Sequence, residues 1–153
     1  MAVGLSIAAK INKQEHKIVC LISDGECDEG SNWEAFLSAA HYQLDNLYAI
    51  LDYNQQQITG AVQEVMDTGS ISEKLRAFGW AVREVDGHDL KELEVALNNG
   101  PLEVGKPSFI IAHTIKGKGI SFMERVLKWH HGVPSPEQYK QAQKELDQAG
   151  ALI

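Results

Sequence analysis

The sequence predicts an α/β fold, an open parallel sheet with helices on both faces. Short apolar runs alternate with stretches of helical periodicity along the whole chain. Two of the runs, residues 17–23 and 47–52, pass at once into turn-forming residues, Ser23-Asp24-Gly25 and Asp52-Tyr53-Asn54. A helical pattern lies between them, which makes a strand–loop–helix–strand unit of the kind that builds parallel sheets through right-handed crossovers. The loops after both strands then open at one sheet edge, where such sheets bind ligands. Asp24 and Asn54, thirty residues apart, are thereby expected to meet around one ligand.

Residues 1–11 alternate small and apolar side chains as a buried helix does. In the first strand, Val19-Cys20-Leu21-Ile22 suggests burial on both faces. A helix over 31–44 places Trp33, Phe36, Leu37 and Ala40 on one side, with Glu34 in its first turns. Residues 53–69 read as a long irregular loop, a length that is often functional. Ser70-Ile71-Ser72-Glu73 is a capping-box pattern opening a helix through Ala77. A third strand covers 80–85. Asp89-Leu90-Lys91-Glu92 is a second capping box, with Leu90, Leu93, Ala96 and Leu97 as an apolar stripe ended by Asn99-Gly100-Pro101. The fourth strand is 108–113, followed by Lys116-Gly117-Lys118-Gly119 at the ligand edge. Ser135, Pro136 and Gln138 start a last helix reaching about Gln148.

Composition narrows the class. The 153 residues have the length of one ordinary domain, and 44% hydrophobic content suffices for a core. A net charge of −7 argues against nucleic acid as a partner. No apolar run approaches the roughly 20 residues of a membrane span. The apolar start has no basic leader and reads as a helix rather than a signal peptide. Two cysteines, Cys20 in a strand and Cys27 in a loop, make no disulfide framework, so the cytoplasm is the expected compartment.

The loop Asp24-Gly25-Glu26-Cys27-Asp28-Glu29-Gly30 is the most informative stretch. Gly25 and Gly30 allow a turn and a close approach to a ligand. A helix N-terminus aimed at the strand edge suits an anion. Four carboxylates repel one, so a phosphate here requires an intervening divalent cation. Asp24 and Asn54 are hard oxygen donors of the kind Mg²⁺ or Ca²⁺ prefers, although Asp and Asn after buried strands also serve simply as turn and cap residues. Gly30 is followed by Ser31-Asn32, which rejects a P-loop, and Glu29 and Ala35 stand where an EF-hand needs Gly and Glu. The acidic surroundings of Cys27 predict a raised pKa and an unreactive thiol.

Asp24-Gly25 and Asn54, with Glu29-Gly30, Trp33-Glu34-Ala35 and Leu44-Asp45-Asn46-Leu47 between them, resemble the thiamine-diphosphate motif of transketolases. The resemblance continues through Asp86-Gly87-His88, Gly105-Lys106-Pro107, Thr114–Gly119 and His131-Gly132-Val133-Pro134, and is strongest to the N-terminal subunit of split, two-gene transketolases. The first glycine of the family's Gly-Asp-Gly is Ser23 here. The resemblance implies one diphosphate-binding (PP-type) domain over 1–153, N-terminally shortened against the family.

It further implies thiamine diphosphate and Mg²⁺ (or Ca²⁺) as cofactors, with metal ligands Asp24, Asn54 and the Gln56 main-chain carbonyl. The Gly25 N–H becomes a diphosphate donor. Glu29, and less directly Glu34, would lie near a dimer interface linking paired sites; either could equally be a helix N-terminal carboxylate. Lys116 or Lys118 would meet the diphosphate, and Lys116 is the choice. His131, preferred over His130 for its Gly-Val-Pro context, would approach cofactor and substrate. The implied activity is transfer of a two-carbon ketol unit between sugar phosphates, with a pyrimidine-domain (C-terminal transketolase) subunit completing the site in a homodimer or heterotetramer. The alternatives are a non-catalytic cofactor-binding or assembly module, or a related enzyme such as deoxyxylulose-phosphate synthase.

Overall fold

Four parallel strands run in the order β1 (Ile18–Ser23), β2 (Leu47–Tyr53), β6 (Ser108–His113) and β5 (Ala81–Asp86). The computed structural model describes residues 1–150. Ser23 is level with Asp52, and Asp52 with Ala112, so the strands end together. Both faces of the sheet carry helices, as the sequence predicts. Helices α1 (Ala2–Ile11), α2 (Gly30–His41) and α4 (Ile71–Ala77) cover one face, where Phe36, Ala39, Ile71 and Leu75 meet Leu47, Ala49, Leu51, Phe109 and Ile111. Helix α5 (Leu90–Asn98) covers part of the other, with Ala96, Leu93 and Leu97 on Tyr48, Ile110 and Ala112. Strand residues alternate between the two clusters because successive side chains of a strand point to opposite faces.

The larger cluster is built on aromatic rings. Phe36, Trp80 and Phe109 stack edge to face with centroids 5.5–5.6 Å apart. The buried Trp80 indole N–H donates to the Phe36 carbonyl at 2.9 Å, so the ring satisfies its one polar atom.

Several local readings are corrected. β1 is an edge strand buried on one face only; Val19 and Leu21 are 54% and 69% exposed because α5 does not reach them. In α2 it is Ala39 that faces the core, and Leu37 is exposed. In α5 Leu90 is likewise exposed. The loop 53–69 contains a small antiparallel pair, β3 (Gln56–Gln57) with β4 (Gly60–Ala61), and the one-turn helix α3 (Val62–Val65). Asp89 caps α5 by accepting from the Lys91 and Glu92 amides, but the Glu92 carboxylate reaches back to the Asp86 amide instead of Asp89. The Ser135–Gln138 box is reciprocal, and its helix α6 (Pro136–Gly150) runs slightly further than expected. Ser121 donates twice to Glu145 of α6, which ties this helix to the loop after β6. No helix among the described residues is long and apolar enough to cross a membrane.

Phe109 is fully buried where the aromatic rings converge. Phe109→Ala is expected to cost about 3–5 kcal/mol in urea unfolding. A loss below about 1 kcal/mol would show that the cluster can collapse into the space.

Candidate active site

Strands β1 and β2 are neighbours in parallel register, so the residues just past their ends are brought side by side. Asp24 and Asn54 hold these positions and are 4% and 8% exposed. The Gln55 amide donates to Asp24 Oδ2 at 2.7 Å, and the Gln56 amide to Asn54 Oδ1 at 3.0 Å. Gln55 takes a left-handed φ of +61°, which turns these amides back toward the two side chains. The first turn after β1, the 3-10 turn Gly25–Asp28, is pinned from α2: the Trp33 indole donates to the Cys27 carbonyl and the Asn32 side-chain amide to the Glu26 carbonyl. Gln57 adds a bond to Asp28 at 2.7 Å.

A cavity of about 600 Å³ opens over this corner. Its wall holds Glu26, Glu29 and Asp52 together with Lys116 and His130, and Gly25, Asn54 and Gln56 also line it. The wall is acidic on balance, so an anion as highly charged as a diphosphate needs a divalent cation with it. The donors present suit one: a buried carboxylate, an amide oxygen and neighbouring main-chain carbonyls are hard oxygen ligands of the sort that magnesium takes together with phosphate oxygens and water. Among the described residues no three His, Cys, Asp or Glu side chains cluster as a metal site, so any cation here leans on those neutral oxygens. A larger cleft of about 770 Å³ opens at the ends of β5 and β6 around His88, His113 and Glu84, and reaches the same corner through Asn54 and Gln55 in its wall.

The family model described as "Transketolase, thiamine diphosphate binding domain" matches this sequence over residues 4–148. The chain belongs to the transketolase family. It is 43% identical over 148 residues to an apulose-4-phosphate transketolase subunit of Phocaeicola vulgatus, covering 97% of this chain and 53% of that protein. It is 42% identical over 150 residues to a 6-deoxy-6-sulfo-D-fructose transketolase subunit of a Clostridium species, covering 98% and 54%. The chain thus spans about half the length of the curated relatives it matches. The transketolase of Campylobacter jejuni superposes with a TM-score of 0.86 at 34% identity, over 95% of this chain and 24% of that one.

The motif residues of a transketolase do not all reach the cavity in the same way. Gly25, Asn54 and Gln56 line it, while the Asp24 side chain lies behind it, against a small pocket shared with Cys27 and Tyr53. Gly25 and Gly30 take no positive φ, so the turn itself does not require glycine; a Cβ on Gly25 would meet nothing within 4 Å, which leaves open space in the wall. Glu29 is exposed at the mouth and Glu34 is exposed on α2. Lys116 lines the cavity, whereas Lys118 lines the other cleft and lies 3.9 Å from Glu124. His130 is in the wall; His131 is exposed and stacks edge to face on it at 4.5 Å. Desolvation, with the Lys116 and His131 charges, holds His130 below the usual histidine range. His113 pairs with Glu84 at 2.8 Å, and the His88 ring accepts the Ile115 amide. Burial, more than the acidic neighbours expected to dominate, pushes the Cys27 thiol up to about 12.

One clamp escaped the sequence reading. The Ser23 amide and hydroxyl both donate to Glu26 Oε2, at 2.8 and 3.1 Å, across the Asp24-Gly25 turn. Ser-Asp-Gly-Glu has the spacing of a capping box, which was the available signal.

Burial raises Asp24 from 3.8 to about 6, against the backbone N–H groups that favour its charge. Between those two values the folded chain holds a proton that the unfolded chain has released. The ligand-free chain therefore loses stability as pH rises through this window. Asp24→Asn is expected to flatten that pH dependence and to raise the urea midpoint at pH 7.5. A midpoint lowered at pH 7.5 would show that the backbone bonds outweigh burial.

Proposed function

We propose that this chain supplies the metal–diphosphate half of a transketolase-type active site, which transfers a two-carbon ketol unit between sugar phosphates. The observation that carries this reading is the meeting of Asp24 and Asn54 at the ends of adjacent strands, each side chain already oriented by a backbone amide. When bound, thiamine diphosphate supplies the nucleophilic carbon that accepts and releases the two-carbon unit.

This chain's own residues hold and orient. Asp24, Asn54 and the Gln56 carbonyl would ligate Mg²⁺, with Ca²⁺ the other cation that such oxygens suit. The Gly25 N–H and the Lys116 ammonium would bind the diphosphate, Lys116 through a charge-assisted hydrogen bond. His131 would approach cofactor and substrate; its neighbour His130 is the ring in the cavity wall and could exchange a proton there. Glu29, exposed at the mouth, would meet a second copy of the domain and couple paired sites.

The relatives named as transketolase subunits support a partner subunit; in this reading it is a pyrimidine-domain chain, and the assembly a homodimer or heterotetramer. Sugar phosphates are the substrate class in this reading, the pentose phosphates among them. The single diphosphate-binding domain would act in the cytoplasm, without nucleic acid or membrane as a partner.

Calorimetric titration with thiamine diphosphate, with Mg²⁺ and then with EDTA, tests the reading. Saturable binding is expected with Mg²⁺, abolished by EDTA and weakened at least about 100-fold in Asp24→Ala, the loss of a charged metal ligand. Metal-independent binding of equal strength in the variant would sink it.

A further inference from the structure

We infer that the Gln56 side chain, as distinct from its main-chain carbonyl, is a positioning residue that latches the loop beginning at Lys116 to the Asp24–Asn54 side of the cavity. This rests on the reading of the cavity as a cofactor site. Gln56 Nε2 donates to the Arg125 carbonyl at 2.8 Å, a bond spanning 69 residues of sequence. The Arg125 amide in turn donates to the Lys116 carbonyl at 2.9 Å. Residues 116–125 are thus closed at their base, and the closure is tied across the cavity to the residue whose amide orients Asn54.

The closed loop is tightly made. Arg125 holds a left-handed φ of +59°, uncommon for a side chain of its size. Gly117 has φ +79°, and a Cβ there would stand 2.6 Å from the Met123 carbonyl oxygen. Such a loop moves as a unit, so where its base is tied decides where Lys116 lies. Its far side is held by Ser121 on Glu145 of α6. Gln56 is the counterpart on the cavity side.

The other end of the same amide points to the same role. Gln56 Oε1 is buried without a hydrogen-bond partner. An orphan acceptor is a cost that an apolar side chain of equal size would not carry. Filling space therefore does not account for a glutamine here, and the Nε2 bond to Arg125 does.

Gln56→Met keeps the volume and the main chain but deletes the latch; Gln56→Ala deletes both side-chain functions. Three readouts are compared with the parent chain: the thermal midpoint, the rate of tryptic cleavage after Lys116, Lys118 and Arg125 followed by mass spectrometry, and the Kd for thiamine diphosphate in Mg²⁺. For Gln56→Met we expect a near-parental midpoint, cleavage about tenfold faster at those sites, and a Kd raised about five- to tenfold, the scale of one net hydrogen bond. Parental cleavage and parental Kd in both variants would overturn the latch. Faster cleavage with an unchanged Kd would reduce it to a structural tie and overturn the positioning role. If the parent chain binds no thiamine diphosphate, the cofactor reading and the positioning role both fall, and the cleavage rates alone decide whether the latch exists.

Discussion

The parallel pairing of β1 with β2 is the constraint on which the site depends. Hydrogen bonding in that ladder sets Ser23 level with Asp52, and the two chains then leave the sheet side by side. Asp24 and Asn54 follow directly. A slip of one residue would turn every strand side chain to the opposite face, so the aromatic cluster under the sheet and the site at its edge are specified together. Ile22, Leu47, Ala49 and Leu51 pack in the same cluster as Phe36 and Phe109, so burial of these strand side chains and the placing of Asp24 and Asn54 go with one register.

Above that edge the site is arranged by hydrogen bonds from main chain and neutral side chains. Asp24 and Asn54 accept backbone amides, Glu26 accepts Ser23, Asp28 accepts Gln57, and Thr114 donates to Asp52. Asp24, Glu26, Asp28 and Asp52 are thereby oriented, and among the described residues none of them forms a salt bridge. The acidic balance that results repels a bare anion. Burial is what raises Asp24, against the backbone N–H groups that favour its charge.

Much of the architecture was legible from short patterns. Apolar runs ending in Asp-Gly or Tyr-Asn marked strand ends, and Ser70, Asp89 and Ser135 marked helix starts, because caps and turn residues act within a few positions of themselves. Details that depend on a neighbouring element were not legible. Val19 and Leu21 look like core residues and lie open, since burial is decided by what packs above a strand. Leu37 and Ala39 exchanged roles on α2 for the same reason. The pair β3–β4 was hidden because strands of two residues carry no periodicity.

By itself the sequence determined the class of the fold, the meeting of Asp24 and Asn54 at one sheet edge, and membership of the transketolase family. These are properties of local pattern and of spacing along the chain, which a linear reading contains. Only the tertiary structure decided that Lys116 and not Lys118 faces the cavity, that His130 lies in its wall beside His131, and that Ser23 clamps Glu26. It alone joined Gln56 to Arg125. Such choices rest on where a loop returns after a crossover and on which lone pair meets which N–H, and those distances exist only once the sheet has brought its strand ends together.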